Sequence, residues 1–132
     1  MGRVQLRRLQ EFKKARKRNA GILKKMFSGS EKILLPTQDA RSDACWYTFP
    51  ITLKSGSRKK VLDALDHANI EWRPILAGNV ARQPAFKNEV IVRDKLNNAD
   101  QLIHQSFWVS VHPTHSIEVM EFVGNTIKKA LD

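Results

Sequence analysis

Four side chains within one short stretch, Arg73, Asn79, Arg82 and Gln83, have the shape and polarity to grip an oxygen-rich ligand. Guanidinium and carboxamide groups are planar and multidentate, which suits phosphate or sugar oxygens. The stretch runs from Trp72 to Pro84, and in it a short apolar run, Ile75-Leu76-Ala77, breaks into a loop at Gly78. Glycine allows backbone conformations closed to other residues, and Pro74 and Pro84 stiffen the entry and exit. A capped strand end with solvated side chains accounts for the same residues, since a glycine and two prolines mark a turn in any case.

Other candidate chemistry is sparse. There is no glycine-rich phosphate loop after a strand, no paired-cysteine zinc spacing and no serine elbow. His112 and His115 are close in sequence, but a structural zinc site needs four ligands and nothing nearby completes the set, so a turn holding two histidines is expected. His67 and His104 read as helix surface. Cys45, the one cysteine, sits beside aromatic residues and reads as a small buried hydrophobe. No catalytic residue, cofactor ligand or metal ligand is assigned.

The elements that must position the loop follow from periodicity. Apolar residues recur at helical intervals from Gly2 to about Phe27, predicting one long amphipathic helix that begins without an N-cap, as if the chain were cut into. Trp46 to Leu53 alternates, placing Phe49, Ile51 and Leu53 on one face of a strand, and Pro50 puts that strand at an edge or a bulge. Ser57 is expected to cap a helix with Val61, Leu62, Leu65 and Ala68 inward, and Arg58, Lys59 and Lys60 on its surface. A second strand covers 70–77. Asn98-Ala99-Asp100-Gln101 has the residues that open a helix, here a short one to about Ser106. Phe107 to Val111 reads as a strand buried on both faces, and Ser116 caps a last helix carrying Met120, Val123, Ile127 and Leu131. The expected fold is α+β: a two-layer small domain with a long N-terminal helix and a small mixed three-stranded sheet, helices on one face.

Charge belongs to one element. Of the formal +10, residues 1–27 hold ten basic side chains against Glu11 alone, whereas the remaining 105 residues carry 13 basic and 12 acidic. A domain that is nearly neutral beyond its first helix is unlike a protein whose whole face reads a phosphate backbone. That helix is an ordinary solvated face or a dock for a polyanion. Its apolar side lacks the tryptophan and dense leucine that would favour a membrane surface. With one cysteine and no long apolar span, a cytoplasmic protein without membrane contact is expected.

Trp46 to Leu53, Ala68-Asn69-Ile70, Ala77-Gly78-Asn79 with Arg82-Gln83-Pro84, Asn98-Ala99-Asp100, and Phe107-Trp108-Val109 with His112-Pro113 stand in the order and spacing of one family. The chain resembles the C-terminal portion of the DegT-type pyridoxal-phosphate (PLP) dependent nucleotide-sugar aminotransferases. Within them it looks most like the branch containing CDP-4-dehydro-6-deoxyglucose 3-dehydratase, of lipopolysaccharide biosynthesis. Thr114-His115 departs from the small and apolar residues the family pattern has there. The resemblance implies the small domain of PLP fold-type I, with 1–28 a linker helix to a large domain and 29–132 the small domain itself. It also implies a dimeric enzyme for deoxysugar dehydration or transamination, with the cofactor and its lysine or histidine partner on the large domain. On that reading this chain alone binds no PLP and is inactive. Its partners are the large domain or a full-length relative, and it self-associates. Arg73, Asn79, Arg82 and Gln83 contact a nucleotide-sugar substrate. The rival readings are a basic nucleic-acid or polyanion-binding module and a stand-alone association domain.

Overall fold

The computed structural model describes residues 2–86 and 88–132. The elements are α1 (Gly2–Arg7), α2 (Leu9–Phe27), β1 (Ile33–Leu34), β2 (Thr48–Leu53), α3 (Arg58–His67), β3 (Trp72–Arg73), a 3-10 turn (Val80–Arg82), α4 (Asn97–Gln105), β4 (Ser106–Ser110) and α5 (Ile117–Leu131).

The long first helix is broken once. Arg8 leaves helical geometry at φ −94°, ψ 1°, and its N–H donates to Gln5 O three residues back. Val4, Leu6 and Leu9 are exposed here, so no tertiary packing holds the first turns in register. Beyond its first turns the helix is anchored. Asn19, fully buried, donates from Nδ2 to His112 O at 2.8 Å, and Arg18 Nη2 donates to His115 O at 2.7 Å, tying α2 to the turn before α5.

The sheet has four strands in the order β1-β2-β4-β3, and every neighbouring pair is antiparallel, where a mixed three-stranded sheet was expected. The reason is an insertion. β2 and β3 run the same way through the α3 crossover, as a parallel unit would, but β4 enters between them and pairs antiparallel with both. β1 is the added strand, pairing Ile33 with Leu53 and Leu34 with Thr52. β2 is consequently interior to the sheet order, yet Pro50 is tolerated because β1 reaches only residues 52 and 53. At Pro50 the strand is locally an edge.

Alternation decides which face is covered. Phe49, Ile51 and Leu53 of β2 and Phe107 and Val109 of β4 are buried, and α2, α3 and α5 lay Leu23, Phe27, Val61, Leu65, Met120 and Ile127 against them. Each such side chain contributes roughly 1.5–3 kcal/mol on full burial. The Phe27 and Phe49 rings meet at 6.4 Å between centroids, tilted by 39°. Gly124 makes room for the Met26 thioether between α2 and α5, since a Cβ there would lie 2.5 Å from Met26 Sδ and turn it aside. α4 adds no side chain to this core. It stands outside the two layers, beside the loop that follows β3.

Candidate functional site

The loop is launched by the end of α3. Asn69 takes φ +53°, its N–H donates to Asp66 O at 3.0 Å, and Ile70 N–H donates to Leu65 O at 2.9 Å, which is a Schellman closure with asparagine in the left-handed position. β3 follows and is only two residues long, where a strand through 77 was expected. Pro74 removes a ladder donor, which ends the pairing. Ala77 and Gly78 then take φ +57° and +52°, and Gly78 N–H donates to Leu76 O at 2.6 Å to close a γ-turn around Ala77. A Cβ at Gly78 would lie 2.5 Å from Ile103 Cγ1. The bare glycine lets α4 lie directly against the loop.

That contact creates the site. Asn79 is 4% exposed; its Oδ1 accepts from Ala81 N–H at 3.1 Å, capping the 3-10 turn, and its Nδ2 donates to Asp100 Oδ1 at 2.8 Å. Arg82 clamps the same carboxylate, Nε to Oδ1 at 3.1 Å and Nη2 to Oδ2 at 3.0 Å. Gln83 Nε2 donates back to Ala77 O at 3.0 Å. These groups border an open pocket of about 750 Å³ whose floor includes Pro74, Ile75, Leu102 and Ile103. Arg82, then Asn79, hold the Asp100 carboxyl below the usual carboxylate range, and Asp100 in turn raises the Arg82 guanidinium.

Asn79, Arg82 and Gln83 are therefore brought together, and Arg73 is not. Arg73 pairs with Glu71, Nη2 to Oε1 at 2.6 Å, and borders a separate polar depression with Arg16, Tyr47 and Trp108. Asp100 and His104 complete the pocket and escaped the sequence reading. Asp100 stood in what looked like a capping sequence, yet the N-cap of α4 is Leu96, with no side-chain bond, and the Asp100 side chain reaches 21 residues back to Asn79 instead. Its sequence signals were an acid early in a helix and a place in the Asn98-Ala99-Asp100 motif of the resemblance, and neither pointed to Arg82.

Other groups have structural duties. Arg58, expected on the surface, donates from Nε to Ser106 O at 3.0 Å and lies 5.7 Å from the Trp72 ring centre, with burial lowering its pKa. His112 Nδ1 meets Thr114 Oγ1 at 2.8 Å and His115 Nε2 meets Ser110 Oγ at 3.2 Å. Among the described residues, no group of three or more His, Cys, Asp or Glu side chains is placed to hold a metal.

A two-layer α+β domain carrying a small polar constellation on one loop is a class with many uses. The comparisons narrow it. The model of the DegT/DnrJ/EryC1/StrS aminotransferase family matches residues 1–128, and the chain belongs to that family. Lipopolysaccharide biosynthesis protein RfbH of Salmonella typhimurium is 39% identical over 127 residues, covering 92% of this chain and 29% of its own length. A dTDP-4-dehydro-2,6-dideoxy-D-glucose 3-dehydratase of Saccharopolyspora spinosa is 32% identical, over 93% of this chain and 28% of that protein. The structure of an E. coli GDP-4-keto-6-deoxy-D-mannose-3-dehydratase with bound hydrated PLP superposes with a TM-score of 0.84 at 23% identity, over 96% of this chain and 33% of that one. The fold is thus that of the small C-terminal part of PLP fold-type I enzymes, and the chain spans about a third of the length of such relatives.

The pocket does not fit PLP itself. A protein holds this cofactor through an acidic or basic partner for the pyridine nitrogen together with an imine-forming lysine or, as the resemblance implies for this branch, a histidine in its place. The described residues lining the pocket include no lysine; they include His104, but the carboxylate and the guanidinium that could face a pyridine nitrogen, Asp100 and Arg82, already hold each other.

Proposed function

We propose that this chain serves as the small C-terminal domain of a cytoplasmic PLP-dependent enzyme that dehydrates or transaminates a nucleotide-linked deoxysugar in lipopolysaccharide or O-antigen assembly. Residues 1–28 link it to a large domain, and 29–132 form the small domain. The observation that carries this reading is the convergence of Asn79, Arg82, Gln83 and Asp100 on one open pocket in a chain of this family. Such a wall binds and orients; the cofactor, which supplies the electron sink for chemistry at a sugar carbon, belongs to the large domain. Alone the chain is inactive and binds no PLP.

The reading is tested on an assembled enzyme carrying this domain. Arg82→Ala is expected to raise KM for the nucleotide sugar about tenfold, which is about 1.4 kcal/mol of binding, with a smaller effect on kcat. An unchanged KM would overturn the role given to the loop. Mixing the isolated chain with PLP is expected to yield no saturable imine at a single lysine after borohydride trapping, and a stoichiometric adduct at one position would contradict the absence of a cofactor site.

A further inference from the structure

A nucleotide sugar has two chemically different parts, an anionic diphosphate and an uncharged hexose ring. We propose that the pocket between the Gly78 loop and α4 is a subsite for the uncharged ring, and that Asp100 sets this preference by neutralising Arg82. The inference rests on the reading of the chain as a nucleotide-sugar-binding domain and narrows it to one half of that ligand.

An anion site needs surplus positive charge or unused N–H groups pointing into it. Among the described lining residues there is no surplus positive charge, and the N–H groups left on Arg82 belong to a guanidinium already paired with a carboxylate. Arg82 donates from both Nε and Nη2 to Asp100, so the two formal charges cancel. Asn79 has its Oδ1 on Ala81 N–H and its Nδ2 on the same carboxylate. The 3-10 turn thereby loses the backbone donor it could have offered, and a diphosphate approaching Arg82 would meet the Asp100 carboxylate as well. Hydroxyl groups face no such conflict, because each both donates and accepts. The second guanidinium nitrogen edge, the outer lone pairs of Asp100, Gln83 Oε1 and the His104 ring offer that mixture. Ile75, Leu102 and Ile103 supply an apolar floor suited to the C–H face of a ring and to a methyl group at a deoxygenated carbon. A bidentate carboxylate–guanidinium pair also holds both side chains in one geometry before a ligand arrives.

The test uses the full 132-residue chain and its side-chain NMR signals, Arg82 Nε–H and Asn79 Nδ2–H. Millimolar 6-deoxy-D-glucose, inorganic pyrophosphate and CDP-glucose are titrated separately. We expect 6-deoxy-D-glucose and CDP-glucose to shift both signals and pyrophosphate to leave them in place. Asp100→Asn is expected to reverse the order: pyrophosphate then shifts Arg82 with an affinity at least about tenfold above that of the parent chain, while the sugar weakens. A residue that merely supported the fold would lose both ligands together. Pyrophosphate moving Arg82 in the parent chain as strongly as the sugar would overturn the proposal, and so would an unchanged ligand order in Asp100→Asn. CDP-glucose shifting signals elsewhere but not at Arg82 would overturn this subsite and leave the nucleotide-sugar reading standing. CDP-glucose shifting nothing would overturn the subsite, while the nucleotide-sugar reading stands or falls on the Arg82→Ala measurement in the assembled enzyme.

Discussion

At the residue scale, two titrating groups are shifted downward for different reasons, and both contributions are lost as pH falls. Asp100 has its folded pKa depressed by Arg82 first and Asn79 second. Its contribution is therefore complete above the unfolded value of about 3.9 and is lost as pH falls through the folded value, so Arg82 stays clamped throughout the neutral range. The Arg82 Nε–H signal should hold still from neutral pH to about 5 and move only below about 4. His115 is also depressed, by burial first and by neighbouring His112 second. For this imidazole the neutral form is the folded one, so its contribution is present above about 6.5 and is lost as pH falls through the folded value. The urea midpoint should drop on going from pH 8 to pH 5, and His115→Gln should flatten that drop. Partial burial of an ionisable ring is the physical cause of this sensitivity.

At the element scale, the pocket exists because α4 lies against the loop at Gly78, where a Cβ would collide with Ile103. Gly78→Ala combines φ +52° with a Cβ 2.5 Å from Ile103 Cγ1, and it should cost about 1–3 kcal/mol and push α4 away from Asn79. Gly29→Ala is the matched control. It has φ +78° but open space around the new methyl, so it should cost only about 1 kcal/mol. Urea denaturation of the two variants separates the steric part from the backbone part. In the core, Phe49 is 1% exposed and packs on Phe27, and Phe49→Ala should cost about 3–5 kcal/mol in the same measurement. The helix caps at Ser57 and Ser116 were legible because a side-chain oxygen three residues before a free N–H is a local relation, and both form the expected bonds to Lys60 and Val119. The cap expected at Asn98 does not form, because α4 begins at Asn97 after Leu96 and so holds Asn98 inside its first turn, while Asp100 of the same motif reaches Asn79 and Arg82.

At the scale of the whole molecule, the basic first helix and the apolar residues left at the surface bear on partners. Several of its cations are already engaged: Arg16 donates to Tyr47 O at 3.0 Å, Lys17 pairs with Asp43, and Arg18 reaches His115 O. A polyanion-binding module would use these groups for phosphates and show a steep salt slope. DNA binding by this chain should be undetectable at about 0.2 M salt; tight binding there would favour the rival reading. Val4, Leu6 and Leu9, together with Leu76 and Ile91, are exposed hydrophobics. The expected consequence is concentration-dependent self-association in sedimentation, weakened by Leu6→Glu; a clean monomer at high concentration would count against a domain that normally leans on another surface. None of the described helices is long and apolar enough to cross a membrane.

Local order and partner choice separate what the chain's letters determined alone from what the tertiary structure decided. The amphipathic faces of α2, α3 and α5, the alternation of β2, the caps at Ser57 and Ser116 and the loop of Asn79, Arg82 and Gln83 all depend on residues within a few positions of one another. They could be read in order along the chain. The insertion of β4 between β2 and β3, the local edge that tolerates Pro50, the exclusion of Arg73 and the arrival of Asp100 at Asn79 depend on residues far apart in sequence. Periodicity carries no record of which distant surface a side chain will meet. The loop supplied the donors from the sequence; only packing of α4 against Gly78 supplied the carboxylate that neutralises Arg82 and fixes the geometry of those donors.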